Sequence, residues 1–136
     1  VSLEANKRAV RDYWLTYENG EVDLLVSHLD PAHVYHGEGS SAVLDYEGRR
    51  DEAGFFFAAF SDIRVIIEDQ VAESDRVATR LTMYATNSGS FLGQPASGRR
   101  VSIPLLDLAR VRDGRILEEW AEFDWQSLLR QLGRRD

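Results

Sequence analysis

The sequence contains no cysteine in its 136 residues, which excludes a disulfide frame, a thiolate nucleophile and a cysteine-based metal knuckle. It has no excess of basic charge: 16 lysines and arginines face 23 aspartates and glutamates, a net charge of −7. Nucleic acids are held by basic surfaces, so none is expected as a partner. No run approaches the roughly 20 apolar residues of a membrane-spanning helix. No signal-peptide pattern opens the chain, so no membrane partner and a cytoplasmic location are expected. Internal repeats, low-complexity tracts and linkers are missing too, and the length fits a single domain over 1–136. There is no G-x-G-x-x-G after a strand, no phosphate-binding loop and no G-x-S-x-G elbow, so a tightly bound cofactor is not expected.

What is there is a helical first part and a strand-rich second part. Leu3, Ala9, Val10, Tyr13, Trp14 and Tyr17 recur at spacings of three and four, which predicts a helix over 3–19 that stops at Gly20. A short helix over 22–29 is expected to end at the Asp30-Pro31 breaker, followed by a strand over 33–36 and a polar loop over 37–48. Asp51 can cap a third helix over 52–60, whose FFFAAF ending points phenylalanines in several directions. Strands over 63–72 and 77–86, a glycine-containing loop over 87–98 and a terminal helix over 126–132 complete the pattern around one long hairpin. Helices first and antiparallel strands second predict an α+β domain with a curved sheet folded over the helices.

The hairpin, 101–111 and 115–123, turns at Arg112-Asp113-Gly114, and Asp-Gly between apolar runs is a strong signal for a tight turn. Alternation puts Val101, Ile103, Leu105, Asp107 and Ala109 on one face and Ser102, Pro104, Leu106, Leu108 and Arg110 on the other. Neither face is cleanly polar, so both are expected to be covered. Asp107 sits among leucines, where a charge costs several kcal/mol unless it is paired or hydrogen-bonded. It is therefore either a base with a raised pKa or a carboxylate tied to an arginine such as Arg80 or Arg110.

The order of elements, the segment GSFLGQPASGR, the turn RDGRI and the ending WQSLLRQLG are similar to the SnoaL-like polyketide cyclase family of the NTF2-like superfamily, over 10–133. The resemblance implies a conical α+β barrel whose hydrophobic pocket holds a polycyclic aromatic polyketide. In these cyclases an aspartate on the last strand is the base for an intramolecular aldol closure, and that position corresponds to Ala121 here. The two assisting polar positions correspond to Leu105 and Asp107, and a polar position on the first strand corresponds to Tyr35. A methyl group removes no proton. A cyclase scaffold without its base resembles the side branch of the family implicated in hydroxylating the anthracycline ring system.

Glu119 shares the face of Ala121, so a second acid can line the same cavity and share a proton with Asp107. Tyr35 and His36 fall on opposite faces of their strand, and alternation leaves open which one reaches the pocket. His28, His33 and His36 do not form a coherent ligand set, and no metal is expected. Trp14, Phe56, Phe60 and Met83 are candidate pocket walls, although each fits core packing equally well. Trp120 belongs to the outer face with Leu106 and Leu108, and an apolar face of that size predicts a homodimer through the sheet.

The leading expectation is hydroxylation of an anthracycline-type intermediate in antibiotic biosynthesis. A pocket carboxylate promotes a substrate anion, which reacts with dioxygen as co-substrate. A quinone substrate would first need a separate NAD(P)H-dependent reductase. On this view Asp107→Asn binds substrate and loses turnover. The alternatives are aldol-type cyclisation with Asp107 or Glu119 as a relocated base, and a non-catalytic module that binds an aromatic ligand.

Overall fold

The computed structural model describes residues 2–37 and 43–134. Helix α1 (Leu3–Leu15) is capped by Ser2, whose hydroxyl accepts the Ala5 N–H at 3.0 Å, and it buries Asn6, Val10, Tyr13 and Trp14 on one stripe. A 3₁₀ turn (Thr16–Glu18) extends it, and Gly20, at φ 66°, ends the segment as expected. Helix α2 (Val22–Val26) is shorter than the expected 22–29, because Leu29 already belongs to strand β1 (Leu29–His36). Asp30-Pro31 therefore lies inside β1. Proline is tolerated there because the pairing of β1 with β6 is irregular between Leu29 and Val34, so no ladder bond needs its missing N–H.

A short strand β2 (Val43–Leu44) leads into helix α3 (Tyr46–Ala59). The expected cap at Asp51 is corrected to Asp45, whose carboxylate accepts the Gly48 N–H at 2.9 Å, so the helix starts at Tyr46 rather than Glu52. Part of the predicted loop over 37–48 is thus helix and strand, and residues 38–42 of it lie outside the described residues. Helix α3 passes directly into strand β3 (Phe60–Glu73). Strands β4 (Arg76–Asn87), β5 (Arg100–Arg112) and β6 (Arg115–Phe123) follow, and α4 (Trp125–Gln131) closes the order with Asp124 as its cap. Asp113 and Gly114 both take positive φ, 51° and 76°, so the β5–β6 turn is of the tight type that the Asp-Gly pair predicts.

The six strands form one sheet in the order β2-β1-β6-β5-β4-β3, antiparallel except for β1 against β6. The sheet curves over α1, which touches β3, β4, β5 and β6, so the expected α+β cone is what forms. Its inner face carries Val101, Ile103, Leu105, Asp107 and Ala109 of β5, all buried. The expectation that both faces are covered does not hold among the described residues, because α1, α3 and α4 lie on the inner side. Leu106 on the outer face is 60% exposed.

The loop between β4 and β5 is pinned to the end of α3. The Asn87 side chain donates to the carbonyls of Ala59 and Gly89, at 3.0 and 2.9 Å, and accepts the Ser97 N–H at 2.8 Å. Gly89 lies so close to α3 that a β-carbon there would stand 1.9 Å from the Ala58 carbonyl oxygen, which leaves no room for any side chain. This clasp fixes where Phe91 sits.

Candidate active site

A cavity of about 170 Å³ opens between α1, α3 and the inner face of the sheet. Trp14 and Tyr17 form one wall, their rings stacked at 5.2 Å with an angle of 21°. Met83, Ile103, Leu105 and Phe123 supply the sheet side. Phe56 comes from α3, and Phe91 meets the partly exposed Trp125 in edge contact at 6.0 Å. Phe55 stands at the mouth, 77% exposed. An aromatic, largely apolar enclosure with a few polar groups is suited to a flat ring system.

Those polar groups gather around Arg49, which is 1% exposed. Its Nη2 donates to the hydroxyls of Tyr13, at 2.6 Å, and Tyr17. Its guanidinium lies over the Tyr35 ring, 4.7 Å from the centroid. Nη1 approaches Glu52 at 3.4 Å, and Nε stands 3.9 Å from Glu119. Burying this cation is affordable only because rings and oxygens surround it. Burial raises the pKa of Tyr13 well above 10, that of Tyr17 to about 12, and that of Tyr35 upward as well. All three stay neutral phenols at ordinary pH.

Asp107 and Glu119 share the inner face, as expected, yet neither reaches the cavity wall. Asp107 lies beneath Trp14, whose indole N–H donates to Oδ2 at 3.1 Å, and Glu119 lies beneath Tyr13, whose hydroxyl donates to Oε1 at 2.8 Å. The alternative tie of Asp107 to Arg80 or Arg110 is not formed, and the indole bond takes its place; Arg110 pairs instead with Asp75 and Glu118. Burial, followed by the repulsion of Glu119, holds the Asp107 pKa well above 3.8. Burial pushes Glu119 to about 7 against the attraction of Arg49. Asp107 Oδ1, Glu119 Oε2 and Arg49 Nε are buried without a hydrogen-bond partner among the described residues.

The remaining sequence candidates divide cleanly. Trp14, Phe56, Met83 and Leu105 line the cavity, and so does Tyr35, which settles the Tyr35 and His36 alternatives. Phe60 is corrected to a backing position, because it begins β3 rather than ending the helix; it stacks behind Phe56 at 4.8 Å. Ala121 is buried opposite Asp107 in the hairpin register and does not line the cavity. His36 is corrected out of the site: it lies on the outer sheet face, stacked on Trp120 at 4.8 Å and bonded to Glu118 at 2.8 Å. His33 meets the carbonyl of Ile116 at 2.9 Å, and burial lowers its pKa to about 4.

Sequence reasoning missed Arg49 and Glu52, the two charged residues of the cavity wall. Placing the helix cap at Asp51 left Arg49 unassigned between the loop over 37–48 and the helix over 52–60. With Asp45 as cap, Arg49, Glu52 and Phe56 fall at spacings of three and four on one helical stripe, which is the signal that would have found them.

Over residues 7–132 the chain matches the family model described as SnoaL-like polyketide cyclase. It is 31% identical over 109 residues to the nogalonic acid methyl ester cyclase of Streptomyces nogalater, covering 78% of this chain and 77% of that protein. Among solved structures it is similar to AclR, a candidate hydroxylase from Streptomyces galilaeus, with a TM-score of 0.88 and 27% identity over 99% of this chain and 100% of that one. It is also similar to IdmH, a candidate polyketide cyclase from Streptomyces antibioticus, with a TM-score of 0.81 and 32% identity over 94% and 98% of the two chains. The curved six-stranded sheet with its helices is thus an NTF2-like fold, and the chain belongs to the SnoaL-like polyketide cyclase family.

Proposed function

We propose that this chain hydroxylates an aromatic polyketide of the anthracycline type, using dioxygen as co-substrate. The observation that carries the reading is a buried guanidinium, Arg49, in an aromatic cavity, and the family resemblance, which puts the cyclases' base at Ala121, supports it. The cavity would hold one edge of a polycyclic substrate, with the rest lying against Phe55 and Trp125 at the mouth. Arg49 would stabilise the electron-rich oxyanion of a polyphenol, the form that reacts with dioxygen. A quinone would first be reduced to its hydroquinone by a separate NAD(P)H-dependent reductase. Dioxygen then converts a ring C–H to C–OOH, and the hydroquinone returns two electrons to the O–O bond, leaving a hydroxylated quinone and water. The reductant it calls for is a cytoplasmic one, in keeping with the expected location.

A second reading, aldol-type cyclisation, is favoured by the similarity to the nogalonic acid methyl ester cyclase. In it Asp107 or Glu119 would have to act through Trp14 or Tyr13. The test is aerobic and anaerobic incubation with a polycyclic hydroxyanthraquinone, with and without a reducing system, followed by mass spectrometry. Gain of one oxygen atom that requires air supports hydroxylation. Loss of water without oxygen uptake replaces it with cyclisation, and an unaltered ligand replaces both with a binding module.

We also propose that the outer sheet face packs against a second copy of the chain, since Leu106, Leu108 and Tyr84 are exposed there. Sedimentation as a monomer at micromolar concentration would overturn that assembly.

A further inference from the structure

We propose that Glu52 is the proton acceptor of the cavity, taking a proton from a phenolic hydroxyl or acidic carbon of the bound ring system while Arg49 holds the anion that results. The inference deepens the polyketide-modifying reading and rests on it. Glu52 is the only carboxylate lining the cavity among the described residues, since Asp107 and Glu119 lie beneath the rings of Trp14 and Tyr13. Its side chain is 45% exposed, so a proton received there has a route to solvent, unlike one delivered to the fully buried Glu119.

The arrangement of Arg49 supports the same assignment. Both hydrogens of Nη2 are committed to Tyr13 and Tyr17, whereas Nη1 makes one long approach, 3.4 Å, to Glu52. An oxyanion held at Nη1 would therefore stand beside the Glu52 carboxylate. The charge balance is favourable as well. Before transfer, Arg49 faces an ionised Glu52 and a neutral substrate. As the substrate O–H or C–H bond breaks and a carboxyl O–H forms, the negative charge moves from Glu52 to the substrate. Arg49 neighbours both positions, so the apolar enclosure never gains net charge. Such a proton removal opens hydroxylation and aldol closure alike.

The test compares the wild-type chain with Glu52→Gln, using 1,2-dihydroxyanthraquinone as the probe at a pH where the free dye is neutral. Binding is followed by the dye's visible spectrum and by calorimetry in buffers of different ionisation heat, which counts protons released. The wild type is expected to bind the dye as its anion without releasing a proton, because Glu52 keeps it. In Glu52→Gln the bound dye stays neutral, or each anion bound sends one proton to the buffer. Turnover falls on the order of 100-fold or more, whichever product forms. A wild type that leaves the dye neutral, or a variant with the wild-type spectrum and proton count, overturns the assignment. The titration needs no turnover, so absence of oxygen gain defeats the hydroxylase reading without touching Glu52. Failure of both proteins to bind the dye overturns the aromatic-cavity reading and Glu52 with it.

Discussion

Glu118 and Glu119 are neighbours on β6 with the same side chain and opposite chemistry. Glu118 points to the outer face, where it bonds His36 at 2.8 Å and Arg110 at 3.2 Å, and the His36 hydrogen bond leads in holding its pKa below 4.5. Glu119 points inward, is 0% exposed, and is raised to about 7 by burial. One step along a strand separates a half-buried ion pair from a carboxylate that resists ionising. The inner face of this sheet is built to hold few charges under tension, and the outer face disperses them in water. That division explains why the chemistry gathers near Arg49 and not at His36.

The largest break in this comparison comes from Arg49→Met. It leaves Tyr13, Tyr17 and Glu119 without their buried cation, and the expected cost is about 3–5 kcal/mol of stability in denaturant unfolding. Turnover falls by about 100-fold as the oxyanion loses its partner. Unfolding at the wild-type denaturant midpoint would mean that the guanidinium is not structurally required.

Glu119→Gln sharpens the inner half. Between 4.5 and about 7 the folded wild type binds more protons at Glu119 than the unfolded chain does, so its stability falls as pH rises through that window. Asp107, also raised, adds a slope of the same sign. The glutamine variant removes the Glu119 share. It should match the wild type below pH 4.5 and exceed it by about 1–3 kcal/mol at pH 8. Parallel stability curves for the two proteins would contradict the raised value.

Asp107→Asn is expected to do less than the sequence pattern implies. The amide oxygen can still accept the Trp14 N–H, and the residue lies beneath the wall, so turnover should fall by no more than about tenfold. Complete loss of turnover would return Asp107 to the role of base. The smallest effect belongs to Glu118→Gln, a half-buried pairing on the outer face worth about 1 kcal/mol or less at neutral pH. Its pH signature is the reverse of Glu119: the wild-type contribution is present above 4.5 and is lost on acidification. A urea titration at pH 7 and pH 3.5 distinguishes the two glutamates by the sign of the change.

Much of this division was legible in the chain itself. Alternation along β5 and β6 assigned Asp107, Glu119 and Ala121 to one face and Trp120 to the other, because a one-residue step reverses a strand side chain. The Asp113-Gly114 turn fixed the hairpin for the same local reason. Alternation says which side a residue takes, however, and not how deep it lies. Depth for Asp107 depends on Trp14, a residue of α1 far away in sequence that lies over it. Arg49 escaped notice because two aspartates compete to cap α3, and only the contact of Asp45 with Gly48 decides between them. His36 and Tyr35 could be separated only once β1 paired with β6.

The three tryptophans sit on different sides of this architecture. Trp14 and Trp125 line the cavity, whereas Trp120 is stacked on His36 across the sheet. A coloured quinone in the cavity would touch the first two rings directly and reach the third only through the sheet. The molecule therefore carries its own optical gauge of occupancy, and ligands can be ranked by quenching before any product is known.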